Sequence, residues 1–319
     1  MMKHQHIRYF PLPLFASVMG FAAVTIAISR FELVHQMNDL LSTLFLIVTT
    51  LLFLLNISIL IYRLFRYQGD VIKDFNHPIK MNFFATISIS LLLLAVPYFN
   101  WSPSFSHILW VFGAFIQLTL TLIILTKLMW NSTIQVAHFT PVSFIPIVGN
   151  LVVPLAGSYH MSSHINWFFF GIGIFFSIVF ITLFFYRAFF TEPLPKPLIP
   201  TIFILLAPPA VGYVSYMSIV GEIDTFAHIL YGIALFIGLF LVMHIKRILQ
   251  GPFFISSWAL LFPSGAMTIA TIRMFTETGY VLYQWAYSAQ LICLLLLVIY
   301  LSWKTVQLAR QGTLCIRDA

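Results

Sequence analysis

The sequence predicts an all-α integral membrane protein: ten transmembrane helices arranged as five helical hairpins around a central pore, the odd spans inner and kinked. Three observations carry this expectation. Of 319 residues, 61% are hydrophobic and only 8% charged, and the mean hydropathy is +0.98, a balance no water-soluble domain has. The apolar runs are continuous rather than alternating, which selects helices over a barrel as the way to satisfy the backbone in lipid. The prolines, finally, fall on every second run.

The runs cover residues 14–28, 41–62, 82–98, 108–128, 141–157, 166–186, 199–220, 226–243, 253–274 and 282–302. Most reach the roughly 17–25 apolar residues a spanning helix needs. The first lacks a small-residue cleavage site after it and reads as a retained span rather than a signal peptide. No stretch of domain size lies outside the runs, so residues 1–319 read as a single membrane domain with short tails.

Spans one, three, five, seven and nine contain or begin with Pro11, Pro13, Pro97, Pro141, Pro146, Pro154, Pro200, Pro208, Pro209, Pro252 and Pro263, and the even spans contain none. Proline removes a backbone donor and clashes with the preceding turn. The freed groups are tolerated only where protein or water covers them, so the odd spans are expected inside. These spans also collect small and hydroxyl residues, among them Ser17, Ser88, Asn150 and Ser215. They are candidates for lining a pore; close helix packing explains them equally well.

Orientation follows from the basic residues. With the N-terminus inside, Lys3, Arg8, Arg63, Arg66, Lys73, Lys80, Lys127, Arg187, Lys196, Lys246, Arg247, Lys304, Arg310 and Arg317 share the cytoplasmic side, leaving only Arg30 and Arg273 outside. Both termini are then cytoplasmic. The net charge of +7 is explained by orientation, so no nucleic-acid partner is expected.

The spans carry no Asp, Glu, Lys or Arg in their middle thirds, and the histidines sit at span ends or in loops. That leaves no intramembrane carboxylate or histidine relay of the kind coupled pumps use. His160 and His164 have a metal-compatible spacing but fall in a short outer loop, where an exposed polar turn is the simpler reading. Cys293 and Cys315 are too differently placed to pair. Nucleophile elbows, phosphate loops and in-span histidine pairs for haem are absent, so neither an enzyme nor a bound cofactor or metal is expected. A path without fixed charge suits a channel, because the ion must bind weakly enough to leave. Exposed N–H groups and positive helix ends favour anions over cations.

Residues 256–267, SSWALLFPSGAM, place a bulky Phe262 directly before Pro263, with Ser264 and Gly265 beyond. A kink at Pro263 would turn Phe262 to the axis, and the small neighbours would give the ring room to swing. Periodicity alone reads Phe262 as one more packed phenylalanine among the 34.

Here the motifs carry a resemblance. WALLFPSG (258–265) resembles the ninth-span signature of plant guard-cell slow anion channels, and HPIKMNFF (77–84) resembles the start of their third span. PIVGNLV (146–152) and LAPPAVGYVSY (206–216) are similar to their fifth- and seventh-span motifs. FPLPLFASVMGFAA (10–23) and GEIDTFAHILYG (221–232) resemble the first and eighth spans of the bacterial member TehA. The chain is identified on these as a member of the tellurite-resistance/dicarboxylate transporter family, the TehA and slow-anion-channel group. The resemblance implies a homotrimer in which each protomer has its own pore of five inner helices, closed by a Phe on the ninth span, here Phe262. Where relatives often have Phe-Gly in the first span this chain has Phe15-Ala16, which would narrow the wall beside a pore-lining Phe15. Arg273 matches no family motif and reads as an outer-mouth charge. The plant channels' long tails have no counterpart here, so kinase gating is not implied.

The expectation is a gated channel or channel-like uniporter for small monovalent anions such as nitrate and chloride, in a bacterial inner membrane. The alternative is a proton-coupled exporter of dicarboxylate, sulfite or tellurite-type oxyanions. A membrane anchor for a redox enzyme would need haem or quinone sites that the sequence lacks.

Overall fold

A computed structural model describes residues 7–315, so Lys3 and Arg317 of the orientation count lie outside the described residues. Among those described, every regular element is helical. In chain order the α-helices are α1 (Phe15–Val34), α2 (Leu40–Arg66), α3 (Gln68–Asn76), α4 (Ala85–Trp101), α5 (Pro103–Trp130), α6 (Ile145–His160), α7 (Ser163–Phe190), α8 (Ala207–Val220), α9 (Thr225–Met243), α10 (Ile245–Leu249), α11 (Leu261–Thr278) and α12 (Val281–Arg310). All but α3 and α10 belong to segments long and apolar enough to span a bilayer, ten in all. Each expected span is present, and most extend a few residues past the apolar run at one end or both, because a helix continues into the interface after hydropathy has fallen. The eighth matches its run to within a residue, and the ninth begins two residues inside its own.

Burial divides the ten segments. In the first, third, fifth, seventh and ninth, 61–83% of the apolar window is buried; in the others the share is 22–33%. The buried set is α1, α4, α6, α8 and α11. Each packs on the next around a closed ring, α11 returning to α1, and each also packs on the outer helix that follows it. The outer helices turn large apolar side chains outward, such as Phe115, Phe175, Phe236 and Ile299. In water such a surface would aggregate; in lipid it is the solvated one.

The prolines act differently from expectation. All five buried segments enter through a 3₁₀ stretch, at Leu12–Leu14, Lys80–Phe84, Pro141–Phe144, Lys196–Leu206 and Ile255–Leu260, before becoming α-helical. Most of the prolines lie in these stretches or in the first α-helical turn, at or near the change of helix type rather than in an α-helix interior. Only Pro97 and Pro154 fall within an α-helix beyond that first turn. Pro263 is the third residue of α11, so it starts that helix rather than interrupting it. The outer helix α5 itself opens on Pro103, which confines the alternation to helix interiors.

Short turns close one end of the bundle. Gly221 and Gly279 end α8 and α11 at φ 89° and 69°, the left-handed region that favours glycine. In the turn after α1, Glu32 accepts from the backbone N–H groups of Leu41 and Ser42 at 3.1 Å each. Its buried carboxylate thereby caps the positive end of α2. At the other end Arg63, also buried, donates to the Phe10 carbonyl and to Asp74, both at 2.9 Å, tying α2 to the N-terminal stretch and α3.

Candidate functional site

Along the axis of the ring lie two small cavities, each lined from all five buried segments. The outer one, about 40 Å³, meets Ala23 and Arg30 of α1, Leu93 of α4, Leu155 of α6, Val211 of α8 and Ile269 of α11. The inner one, about 30 Å³, meets Met19, Ile89, Val148, Ala207 and Pro263 from the same five helices. Phe262, 6% exposed, is the one described residue common to both linings. A single water needs about 10–15 Å³, so neither cavity admits a hydrated ion, and the Phe262 ring stands between them.

The inner cavity lies where the α-helices begin. Ala16, Thr86, Ile145, Ala207 and Phe262 all line it, and each is within the first two residues of its helix. The five parallel helices therefore direct their positive ends toward this level and the face beyond it. The lining itself is apolar, so the field comes from backbone dipoles rather than from fixed charge.

Below the inner cavity, on the more basic face, opens a vestibule of about 780 Å³. Phe83 belongs to both linings, as Phe262 does to those of the two axial cavities. Arg8, Arg63, Lys73 and Lys80 line the vestibule against two carboxylates, Asp70 and Asp74. Arg8 pairs with Asp70, while Arg63 and Lys80 share Asp74 at 2.9 and 3.4 Å. The balance remains positive. The hydrogen bond from Arg8 holds the Asp70 carboxyl below the usual carboxylate range, so it stays ionised and paired.

The other residues singled out in the sequence lie as follows. Ser88 donates to Gln117 Oε1 of α5 at 2.7 Å, and Asn150 Nδ2 donates to Thr121 Oγ1 of α5 at 3.0 Å. Both belong to a buried seam in which Gln117 also donates to the Pro146 carbonyl at 2.6 Å. Gly149 makes room for it, since a Cβ there would sit 2.2 Å from Gln117 Oε1. Neither Ser88 nor Asn150 lines an axial cavity. Ser17 donates to the Leu14 carbonyl and faces a lateral cleft instead. Phe15 is fully buried outside both cavity linings, whereas its neighbour Ala16 does line the inner one. Ser215 is buried with its hydroxyl unpartnered, between the lining positions Val214 and Ser218. Ser264 returns its hydroxyl to the Leu260 carbonyl at 2.7 Å, and Gly265 faces α1.

Arg273 pairs with Glu277 at 2.7 Å and donates to the Gly221 carbonyl at 2.9 Å. The charge that reaches the outer cavity is Arg30, held among the described residues by a 3.4 Å contact to the Tyr159 hydroxyl. The signal for it was in the chain, since Arg30 follows Ala23 and Ile26 by seven and four residues on one helical face. His160 ends α6 and meets Ser106 Oγ at 2.8 Å, beside His107; it forms no pair with His164.

Comparison with known proteins bears on this arrangement. The model of the voltage-dependent anion channel family matches residues 9–306. An uncharacterized transporter of Methanocaldococcus jannaschii is 26% identical over 300 residues, 86% of this chain and 87% of that protein. The S-type anion channel SLAH2 of Arabidopsis thaliana is 32% identical over 236 residues, 72% of this chain and 44% of the plant protein. The tellurite resistance protein TehA homolog of Haemophilus influenzae is 27% identical over 264 residues, 81% of this chain and 80% of that protein.

Proposed function

The chain belongs to the voltage-dependent anion channel family, and we propose that it is a gated channel or channel-like uniporter for small monovalent anions such as nitrate and chloride. The observation that carries this reading is the place of Phe262, alone between two axial cavities at the level where five helices begin. Helix ends and the basic vestibule attract an anion, and the apolar lining lets it leave. Phe262 closes the path by volume and by drying the constriction. Pro263, Ser264 and Gly265 position it: Pro263 starts the helix, Ser264 bonds within the turn, and Gly265 brings α11 onto α1. The excess of basic side chains at the vestibule face supports cytoplasmic termini. The bacterial relative favours a bacterial inner membrane, and the family resemblance implies a homotrimer with one path per protomer.

The test is anion flux in liposomes. Phe262→Ala is expected to conduct far more than wild type, with Phe262→Leu between them. The reversal potential should follow the anion gradient and ignore an imposed pH gradient. A shift with pH would instead favour proton-coupled export, the reading that one relative's tellurite-resistance name supports. A stable, silent Phe262→Ala would sink the gate.

A further inference from the structure

Away from the axis, a cleft of about 560 Å³ opens between α2 and α12, with α1 behind it. Its walls include Leu52, Leu55 and Ile59 of α2 and Ser302 and Val306 of α12, and its floor is Trp258. Leu55 and Val306 are 56% and 48% exposed on outer helices whose solvent is lipid, so the cleft opens onto hydrocarbon. The volume is that of a small-molecule pocket.

We propose that this cleft binds one anionic phospholipid, its acyl chain lying in the cleft and its phosphate between Arg66 and Arg310. Length supports this. The α2 wall runs from Val48 to Ile59, which at 1.5 Å per residue is about 16 Å, or one leaflet of a hydrocarbon core about 30 Å thick. Charge supports it too. Arg66 lies seven residues beyond Ile59 and Arg310 four beyond Val306, each on the helical face that lines the cleft. Both are exposed, and neither has an ion pair among the described residues. A phosphate is complementary to these two arginines.

The floor gives the site a consequence. Trp258 also lines the inner axial cavity, stands one helical turn before Phe262, and donates to Thr305 of α12 at 2.9 Å. A chain in the cleft therefore presses on the wall of the path. That coupling rests on the Phe262 reading, whereas lipid retention does not.

Native mass spectrometry of protein extracted from phosphatidylcholine vesicles, with and without phosphatidylglycerol, decides. Wild type should retain one phosphatidylglycerol per protomer. Ser302→Trp and the lipid-exposed Leu55→Trp, which fill the cleft, should lose it; the second guards against misfolding of the first. The double variant Arg66→Gln/Arg310→Gln should lose roughly thirty-fold in preference for phosphatidylglycerol over phosphatidylcholine, from about 1 kcal/mol per basic side chain. Flux in phosphatidylglycerol should differ between wild type and Leu55→Trp. Retention of the lipid by folded, cleft-filled variants would overturn the site. So would a change of oligomeric state on filling, which would place a neighbouring copy there. Absent flux in every variant with normal lipid retention would count against the channel reading alone.

Discussion

Gly265 of α11 meets Ala23 of α1 so closely that a Cβ on Gly265 would lie 2.7 Å from the Ala23 methyl and 3.3 Å from its carbonyl carbon. Gly20 makes the same kind of contact one turn earlier, against the Leu261 side chain. Phe262 is thereby carried on a helix whose distance from α1 is set by missing methyl groups. Gly265→Ala should lower stability by about 1–3 kcal/mol, the usual cost of overpacking, read as a lower unfolding temperature in detergent. Adding Ala23→Gly should restore part of the loss. An unchanged melting temperature for the single variant would show that α11 shifts freely.

Phe144 provides the contrast for Phe262. It is fully buried among Phe139, Phe180 and Phe184 and lines neither axial cavity. Phe144→Ala should cost about 3–5 kcal/mol without raising flux, while Phe262→Ala raises flux and stays folded. Equal behaviour of the two variants in a paired thermal and flux assay would remove the distinction.

Arg30 and Arg273 should also separate. Arg30→Gln removes a charge from the outer cavity and should reduce anion entry from that side at low ionic strength. The difference should fade as salt shortens the screening length to about 10 Å or less. Arg273→Gln should change flux less, since Glu277 already neutralises it at 2.7 Å. If Arg273→Gln shows the larger salt-dependent loss, the outer mouth is on α11.

Gln117 holds α5 to α4 and α6 without touching the axial cavities. Gln117→Leu removes its bonds to the Ser88 hydroxyl and the Pro146 carbonyl, which keep Ala85, Asn150 and Thr121 as partners. It should cost about 0.5–1.5 kcal/mol per bond lost, with the anion preference unchanged. A changed order of permeant anions would place this seam on the path.

Asp224 caps α9, accepting from Ala227 N at 2.9 Å and from the Tyr216 hydroxyl. The Tyr216 bond, then the backbone bond from Ala227, holds its carboxyl below the usual range. A depressed folded-state pKa contributes stability above the unfolded value of about 3.9 and loses it as pH falls through the folded one. Asp224→Asn should therefore melt lower than wild type at neutral pH and approach it below about pH 4. A gap that stays constant with pH would rule out the charged cap.

The sequence alone determined the ten spans and their division into buried and lipid-facing sets. Hydropathy over some twenty residues is a local quantity, and prolines and glycines mark where a chain avoids lipid whatever its partners. It also singled out Phe262, through the company of Pro263 and the resemblance of WALLFPSG to a slow-anion-channel signature. It did not determine which side of a helix looks inward. Ser88 and Asn150 have the composition of a pore lining, but rotation of α4 and α6 turns them to Gln117 and Thr121 of α5, respectively. That rotation is set from outside each helix, by the gap Gly149 leaves for Gln117 and the one Gly265 leaves for Ala23. Phe83 came onto the cavity linings by the same means, whereas Arg273 and Glu277, four residues apart on one helix, could pair whatever the bundle does. A helix presents every direction equally until its neighbours are packed, so facing is a property of the bundle and was decided only there.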